Sequence, residues 1–301
     1  MYEYDVVIPL KSTNKLVVDN IIRVSDFHEV RKILIGDAGV ESKVLTELSK
    51  IPKVKILQQR GFFSQGACII DLVKNVETEY FVYLHADVVL PVDWFNVMRE
   101  KLGNSMFAES GRKFDYSINH QASEMNRQYP LSRPNSGSQM GKTDFFLSVT
   151  KGVDDDFLFR NEDLVFADLV DQFGGNYKII NDTYHYHQIG YTRKNENISN
   201  NVELSFSTLP TKDDIWLFEC QAEGIIKYTK PRPNLLHHLM LALSVLEKYG
   251  KKKDFTRKVL KKEEYKLWHL HIRMYPIYFV KFRMKKIVKL ILSDKYTLIR
   301  S

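Results

Sequence analysis

The chain has 301 residues, 44% of them hydrophobic, enough apolar material for a large core with an appendage and too much for a disordered chain. Its two cysteines, Cys68 and Cys220, are far apart and lack metal-ligand spacing, which argues against a disulfide framework and fits a reducing compartment. The net charge of +7 is unevenly held: residues 227–301 carry 20 Lys+Arg against 5 Asp+Glu, a net of +15, which leaves 24 against 32 in residues 1–226, a net of −8.

That division suggests two parts, an acidic body over 1–226 and a basic helical extension over 227–301. The opening MYEYDVVIPL has neither a basic leader nor a long apolar core, and no run reaches the roughly 18 apolar residues of a membrane span. The expectation is a cytoplasmic chain whose tail meets an anionic partner. A nucleic-acid partner is disfavoured, because the tail carries no recognisable binding module and the body is acidic.

In chain order, Asp5–Leu10 reads as a buried strand. Leu16, Val17, Asn20, Ile21 and Val24 follow at helical spacing. Lys32–Gly36 is a second strand, Ser42–Lys50 a second helix, Val54–Leu57 a third strand, Gln65–Val76 a third helix and Tyr80–Leu84 a fourth strand. Strands separated by helices of this length predict a parallel sheet with right-handed crossovers, and ligands of such sheets gather at the carboxyl ends of the strands. Three of those ends carry polar or glycine signals: Pro9–Lys11, Gly36–Gly39 and His85–Asp87.

Further on, YPLSRPNSGSQMGK reads as a loop, either at the mouth of a site or a plain surface connection. Lys142–Val149 reads as a strand and Asn161–Phe173 as a helix stopped by Gly174-Gly175. Tyr177–Ile180 and Thr183–Gln188 read as two more strands. From Pro231 the pattern becomes helical, with Asn234 as N-cap and Gly250 as stop. The tail ends in a basic amphipathic helix with Lys281, Lys285 and Lys289 at four-residue spacing. That helix either lies on an anionic membrane surface or packs its apolar stripe against protein.

The residues that carry chemistry sit at the strand ends. Asp37, between glycines, suits a hydrogen bond to a nucleobase or ribose, or else caps the next turn. Arg60, after the third strand, faces a base, a phosphate or solvent. His85 and Asp87 flank Ala86, so in extended backbone both reach one divalent ion, whose remaining ligands come from a diphosphate and water. Glu162 and Asp163 open a helix. Either the helix dipole holds them there or one acts as a general base toward a hydroxyl. His185 and His187, two apart on a strand, share one face as candidate metal ligands or as plain polar positions. Beyond them Arg193 and Lys194 lie in a polar segment able to fold over a phosphate.

Taken together, DVVIPL, KILIGDAG, RGFFSQGACIIDLV, YFVYLHADVVLPVDWF and KGVDDDFLFRNEDLVFADLVDQFGG resemble, in order and spacing, the family-2 glycosyltransferases of the A-type nucleotide-sugar fold. The resemblance covers about residues 4–190. It implies a single Rossmann-like sheet, mixed but mostly parallel and flanked by helices (GT-A), with the C-terminal helices outside it. Residue by residue, it makes Asp37 the nucleoside-binding acid, Asp87 the metal-binding acid that closes Asp-x-Asp, and Asp163, beside Glu162, the catalytic base. His187 or His185 falls where some relatives place a further metal ligand. Pro9, Lys11, Arg60, Gly66, His85, Ala86 and Arg193 become donor contacts. Two positions depart from the pattern: the first Asp of Asp-x-Asp is His85, and the second acid after the second strand is Ala38. The implied activity is an inverting, Mn2+- or Mg2+-dependent transfer from a nucleotide-diphosphate sugar, with a UDP-sugar favoured, to a hydroxyl on a glycan or lipid-linked acceptor. The rival expectation is a non-catalytic nucleotide-sugar-binding or scaffold protein at a membrane surface.

Overall fold

A computed structural model describes residues 3–11, 15–59, 65–114, 128–129, 137–153, 162–187 and 243. The chain divides into two compact units, Met1–Lys230 and Pro231–Ser301, and every described residue except Leu243 belongs to the first. The tail helices read from sequence, together with Cys220, Arg60, Arg193 and Lys194, lie outside the described residues. Among the described residues no helix is long and apolar enough to cross a membrane.

The first half alternates as expected: β1 (Tyr4–Leu10), α1 (Lys15–Ser25), β2 (Val30–Asp37), α2 (Ser42–Leu48), β3 (Val54–Gln58), α3 (Gln65–Val73) and β4 (Tyr80–Leu84). The second half contains β5 (Val88–Val89), α4 (Trp94–Leu102), β6 (Phe107–Phe114), β7 (Gln128–Tyr129), β8 (Ser138–Lys142), α5 (Thr143–Thr150), α6 (Glu162–Gln172) and β9 (Tyr177–His187). All the strands join one sheet in the order β3-β2-β1-β4-β8-β6-β9-β5, with β7 paired to β6. The β3-β2-β1-β4 portion is parallel, and β6 runs parallel to β9. The pairs β4-β8, β6-β8, β6-β7 and β5-β9 are antiparallel. This is a mixed α/β sheet flanked by helices, a Rossmann-like arrangement of the GT-A type.

Strand alternation divides the core between the two faces of the sheet. Tyr4, Val6, Ile8 and Leu10 of β1 pack with α1 residues such as Ile21 and with Trp94, Phe95 and Met98 of α4. Val7, Leu34, Phe81 and Tyr83 pack with Cys68 and Leu72 of α3, Phe146 of α5 and Phe166 of α6. On this second face a Cβ at Gly141 would lie 2.4 Å from the Phe107 ring, and one at Gly36 would lie 2.5 Å from Cys68 Sγ. Side-chain-free backbone at these two positions lets the aromatic cluster and α3 sit against the sheet.

Three expectations in this half of the chain change. The stretch YPLSRPNSGSQMGK is not a loop throughout: its last five residues, Ser138–Lys142, form β8. Lys142–Val149 is not a strand: β8 ends at Lys142 and α5 begins at Thr143. The buried residues Thr143, Phe146, Val149 and Thr150 recur at helical spacing, a signal masked in the sequence by the β-prone FFLSV. The two strands read at 177–180 and 183–188 are one continuous β9. A register shift at Ser110/Gly111 on β6 absorbs the irregularity between them, carrying the pairing from Ile180 to Tyr184.

Candidate active site

The chain runs from β1 outward to β2 and β3, then returns to the opposite side of β1 to make β4. In an open α/β sheet such a reversal opens a crevice at the carboxyl ends of the two strands it separates, here β1 and β4. Pro9 and Lys11 close β1, half-buried and exposed respectively, and His85, Ala86 and Asp87 follow β4.

His85–Asp87 forms a turn and not the extended segment expected from sequence. The turn is anchored on both sides. The His85 backbone N–H donates to the Gly137 carbonyl at 2.9 Å, and Asn20 Nδ2 of α1 donates to the Ala86 carbonyl at 3.0 Å. Immediately afterwards β5 pairs antiparallel with β9, setting Val88 opposite His187. That one register brings His187, a hundred residues later, against Asp87.

The result is a group of three candidate ligands. His187 Nε2 lies 3.3 Å from Asp87 Oδ2, and His85 Nδ1 lies 3.8 Å from Asp87 Oδ1. One ligand atom from each residue lies within 4.8 Å of the other two. Bonds of about 2.1 Å to a divalent ion hold neighbouring ligand atoms roughly 3–3.5 Å apart, so these three side chains fit such an ion with small adjustments. Burial opposes the charge of Asp87, but His187 and then His85 outweigh it and hold the carboxyl well below the usual carboxylate range. The acid is therefore ionised at neutral pH, as a ligand must be.

His185, the other candidate ligand, stands outside this group. It is fully buried. Its Nδ1 meets Ser138 Oγ at 2.8 Å and Ser110 Oγ at 3.3 Å, and a Cβ on Gly137 would lie 2.2 Å from its Nε2. Burial first, and then the nearby His187, keep its imidazole neutral, far below the ordinary histidine value. Its ring lies 5.8 Å from that of His187, where it supports the group from within the sheet.

Glu162 and Asp163 occupy the first turn of α6, where the helix dipole favours negative charge. Glu162 is buried and Asp163 half-buried. Burial first, then Glu162, and more weakly Asp163, push the Tyr83 hydroxyl well above its usual range. At Tyr177 burial leads, followed by Glu109, with Asp163 contributing again. Tyr83 lies on β4, two residues before His85.

Gln65, the first residue of α3, completes the connection. Its Nε2 donates to Tyr83 Oη and lies 2.8 Å from His85 Nε2. Side chains therefore connect Asp87 through His85 and Gln65 to Tyr83. Neither Gln65 nor Tyr83 stood out in the sequence. Tyr83 reads there as one more apolar strand residue, and Gln65 as the start of a helix.

Asp37 shows the structural half of its expected role. One carboxylate oxygen accepts the backbone N–H groups of Gly39 at 2.9 Å and Val40 at 2.8 Å. Gly39 has φ +104°, a left-handed conformation that favours glycine. The turn lies against the end of β1, where the Ala38 N–H donates to Leu10 O at 3.0 Å. Gly66 is buried in the first turn of α3.

No family model matches the chain, and no curated protein does. Among solved structures the chain is similar to residues 1–349 of TarS from S. aureus, at 13% identity and a TM-score of 0.50, covering 88% of this chain and 77% of that one. The same TarS segment in complex with UDP-GlcNAc gives 15% identity and a TM-score of 0.49, with 88% and 78% covered. HddC from Yersinia pseudotuberculosis gives 17% identity and a TM-score of 0.43, covering 64% of this chain and 97% of that one. At such identities the likeness concerns architecture: the chain has a glycosyltransferase-like fold.

Proposed function

We propose that the chain is a metal-dependent glycosyltransferase of the family-2 type. It moves a sugar from a nucleotide-diphosphate donor, a UDP-sugar in the favoured case, to a hydroxyl on a glycan or lipid-linked acceptor. The observation that carries this reading is the group of Asp87, His187 and His85 at the sheet's reversal.

In this reading Asp87, His187 and His85 hold the cation, and a donor set with two imidazoles favours Mn2+ over Mg2+. A bound divalent ion supplies positive charge to the departing diphosphate. Asp163 accepts the proton of the attacking acceptor hydroxyl. It suits that role better than Glu162 because it is more accessible, and a base must reach its substrate. Attack opposite the leaving diphosphate gives inversion at the anomeric carbon. Pro9, Lys11, Asp37 and Ala86, at the strand ends, and Gly66, in the first turn of α3, serve as donor contacts, and Arg60 and Arg193 complete that set.

The test is a panel of nucleotide sugars assayed for hydrolysis and transfer with Mn2+, Mg2+ or EDTA, the product anomer being read by NMR. Metal-dependent turnover with inversion supports the reading. Tight nucleotide-sugar binding without turnover would make the chain a binding or scaffold protein instead. For the basic tail we propose an anionic membrane surface as partner. Flotation with anionic liposomes should fall when residues 255–301 are removed, and equal flotation would contradict that assignment.

A further inference from the structure

We propose that the groove between α1 and the segment that begins with β5 is the centre of a two-fold interface with a second copy of this chain. None of the residues that line it is a candidate metal ligand, catalytic acid or donor contact.

The groove has a volume of about 390 Å³. Val24 and Phe27 line it from the α1 side, Val88 and Leu90 from the β5 side. Val24, Val88 and Leu90 are buried, so the floor is apolar. The bond from Asn20 Nδ2 to the Ala86 carbonyl, at 3.0 Å, ties the two sides together. At the rim, by contrast, Val92 is 88% exposed, and Ile22 of α1 is exposed as well. A single exposed valine calls for no explanation, but one on the rim of an apolar groove sets a knob and a hole on one surface.

The charges select the occupant. Arg23 and Asp26, both exposed, line the same groove three residues apart, and neither forms an ion pair among the described residues. A partner of a single charge, such as an anionic surface, would be repelled by one of the two. A two-fold contact uses both, because residue i of one copy meets residue j of the other while j meets i. Arg23 then faces Asp26 of the second copy, Asp26 faces its Arg23, and each Val92 enters the groove of the other. Ten residues line the groove, against roughly 20–30 a side in a stable interface. The groove is therefore the centre of the contact, with Asp19 and Ile22 of α1 around it, and the affinity expected is micromolar.

The experiment is sedimentation velocity of the full chain across a nanomolar-to-micromolar concentration series, with circular dichroism to check that each variant folds. Wild type should pass from monomer to dimer. Val92→Glu, at a position that folding leaves exposed, should raise the dimer Kd at least about tenfold by placing an unpaired charge in the contact. Arg23→Glu and Asp26→Arg should each weaken the dimer to a similar degree, since either change makes both cross-copy pairs like-charged. An equimolar mixture of those two variants should associate again, because each introduced charge then meets its opposite. Recovery on mixing separates a two-fold contact from a site for an unrelated partner. A wild type that stays monomeric throughout, which would leave the groove to a different ligand, overturns the proposal. So does a dimer that survives Val92→Glu, or a mixture no more associated than its components.

Discussion

Asp87 owes its charge to company. Half-buried, it remains ionised because His187 and His85 face it, and the three together form a candidate ligand set that none of them makes alone. The choice between His185 and His187 was not legible from their spacing, because alternate residues of a strand share a face and both qualify. What separates them is their partners: His187 stands opposite Val88 beside Asp87, whereas His185 is held by Ser138. His187→Ala should therefore weaken Mn2+ binding by more than about tenfold, since even outer partners of metal ligands cost 10–100-fold. His185→Ala should leave the direct ligands in place and act through stability. Mn2+ titration beside urea unfolding of both variants checks this, and the larger affinity loss in His185→Ala would reverse the assignment. At the other acid, Asp163→Asn should lower transfer by about 10²–10⁴, the range for a lost general base, with nucleotide affinity nearly unchanged. Single-turnover kinetics beside equilibrium binding read the two separately.

At the scale of elements, the parallel half of the sheet was readable because apolar strands and amphipathic helices alternate there with turn residues between them. The antiparallel half was harder. Residues 143–150 contain enough aromatic and β-branched side chains to resemble a strand, yet they form α5, whose burial against α3 and α6 decides the matter. The two-residue β5 had no signal of its own, and it is the element that delivers His187. At the opposite end of the sheet, Arg31 of β2 grips the buried Asp5 of β1 with Nε and Nη2 at 2.9 and 2.6 Å. Glu77 extends this pair, bound by Lys32 and Arg31. Those two cations, Lys32 first, lower the Glu77 carboxyl from 4.5 to about 2. A depressed carboxylate stabilises the folded state above its unfolded value, and that contribution is lost as pH falls from about 4.5 toward 2. Urea midpoints followed across this window should decline more steeply for wild type than for Glu77→Gln. Parallel declines would show that the cluster adds nothing.

For the whole molecule, topology places the site. The order β3-β2-β1-β4 reverses at β1 and β4, the position at which open α/β sheets bind ligands, and the mixed half of the sheet brings the end of its last long strand to the turn after β4. There His85 and Tyr83 share Gln65 as a partner. Sequence order alone could not supply that partner, which looks unremarkable until the chain is folded. The central claim is that Asp87 anchors a cation that binds the diphosphate of a nucleotide. The most direct test is calorimetric titration of UDP into wild type and Asp87→Ala, each with Mn2+ and with EDTA. Wild type should bind UDP at least about tenfold more tightly with Mn2+ than with EDTA, and Asp87→Ala should show no difference between the two. Equal Mn2+ dependence in both proteins, or UDP binding by wild type that ignores the metal, would contradict the account.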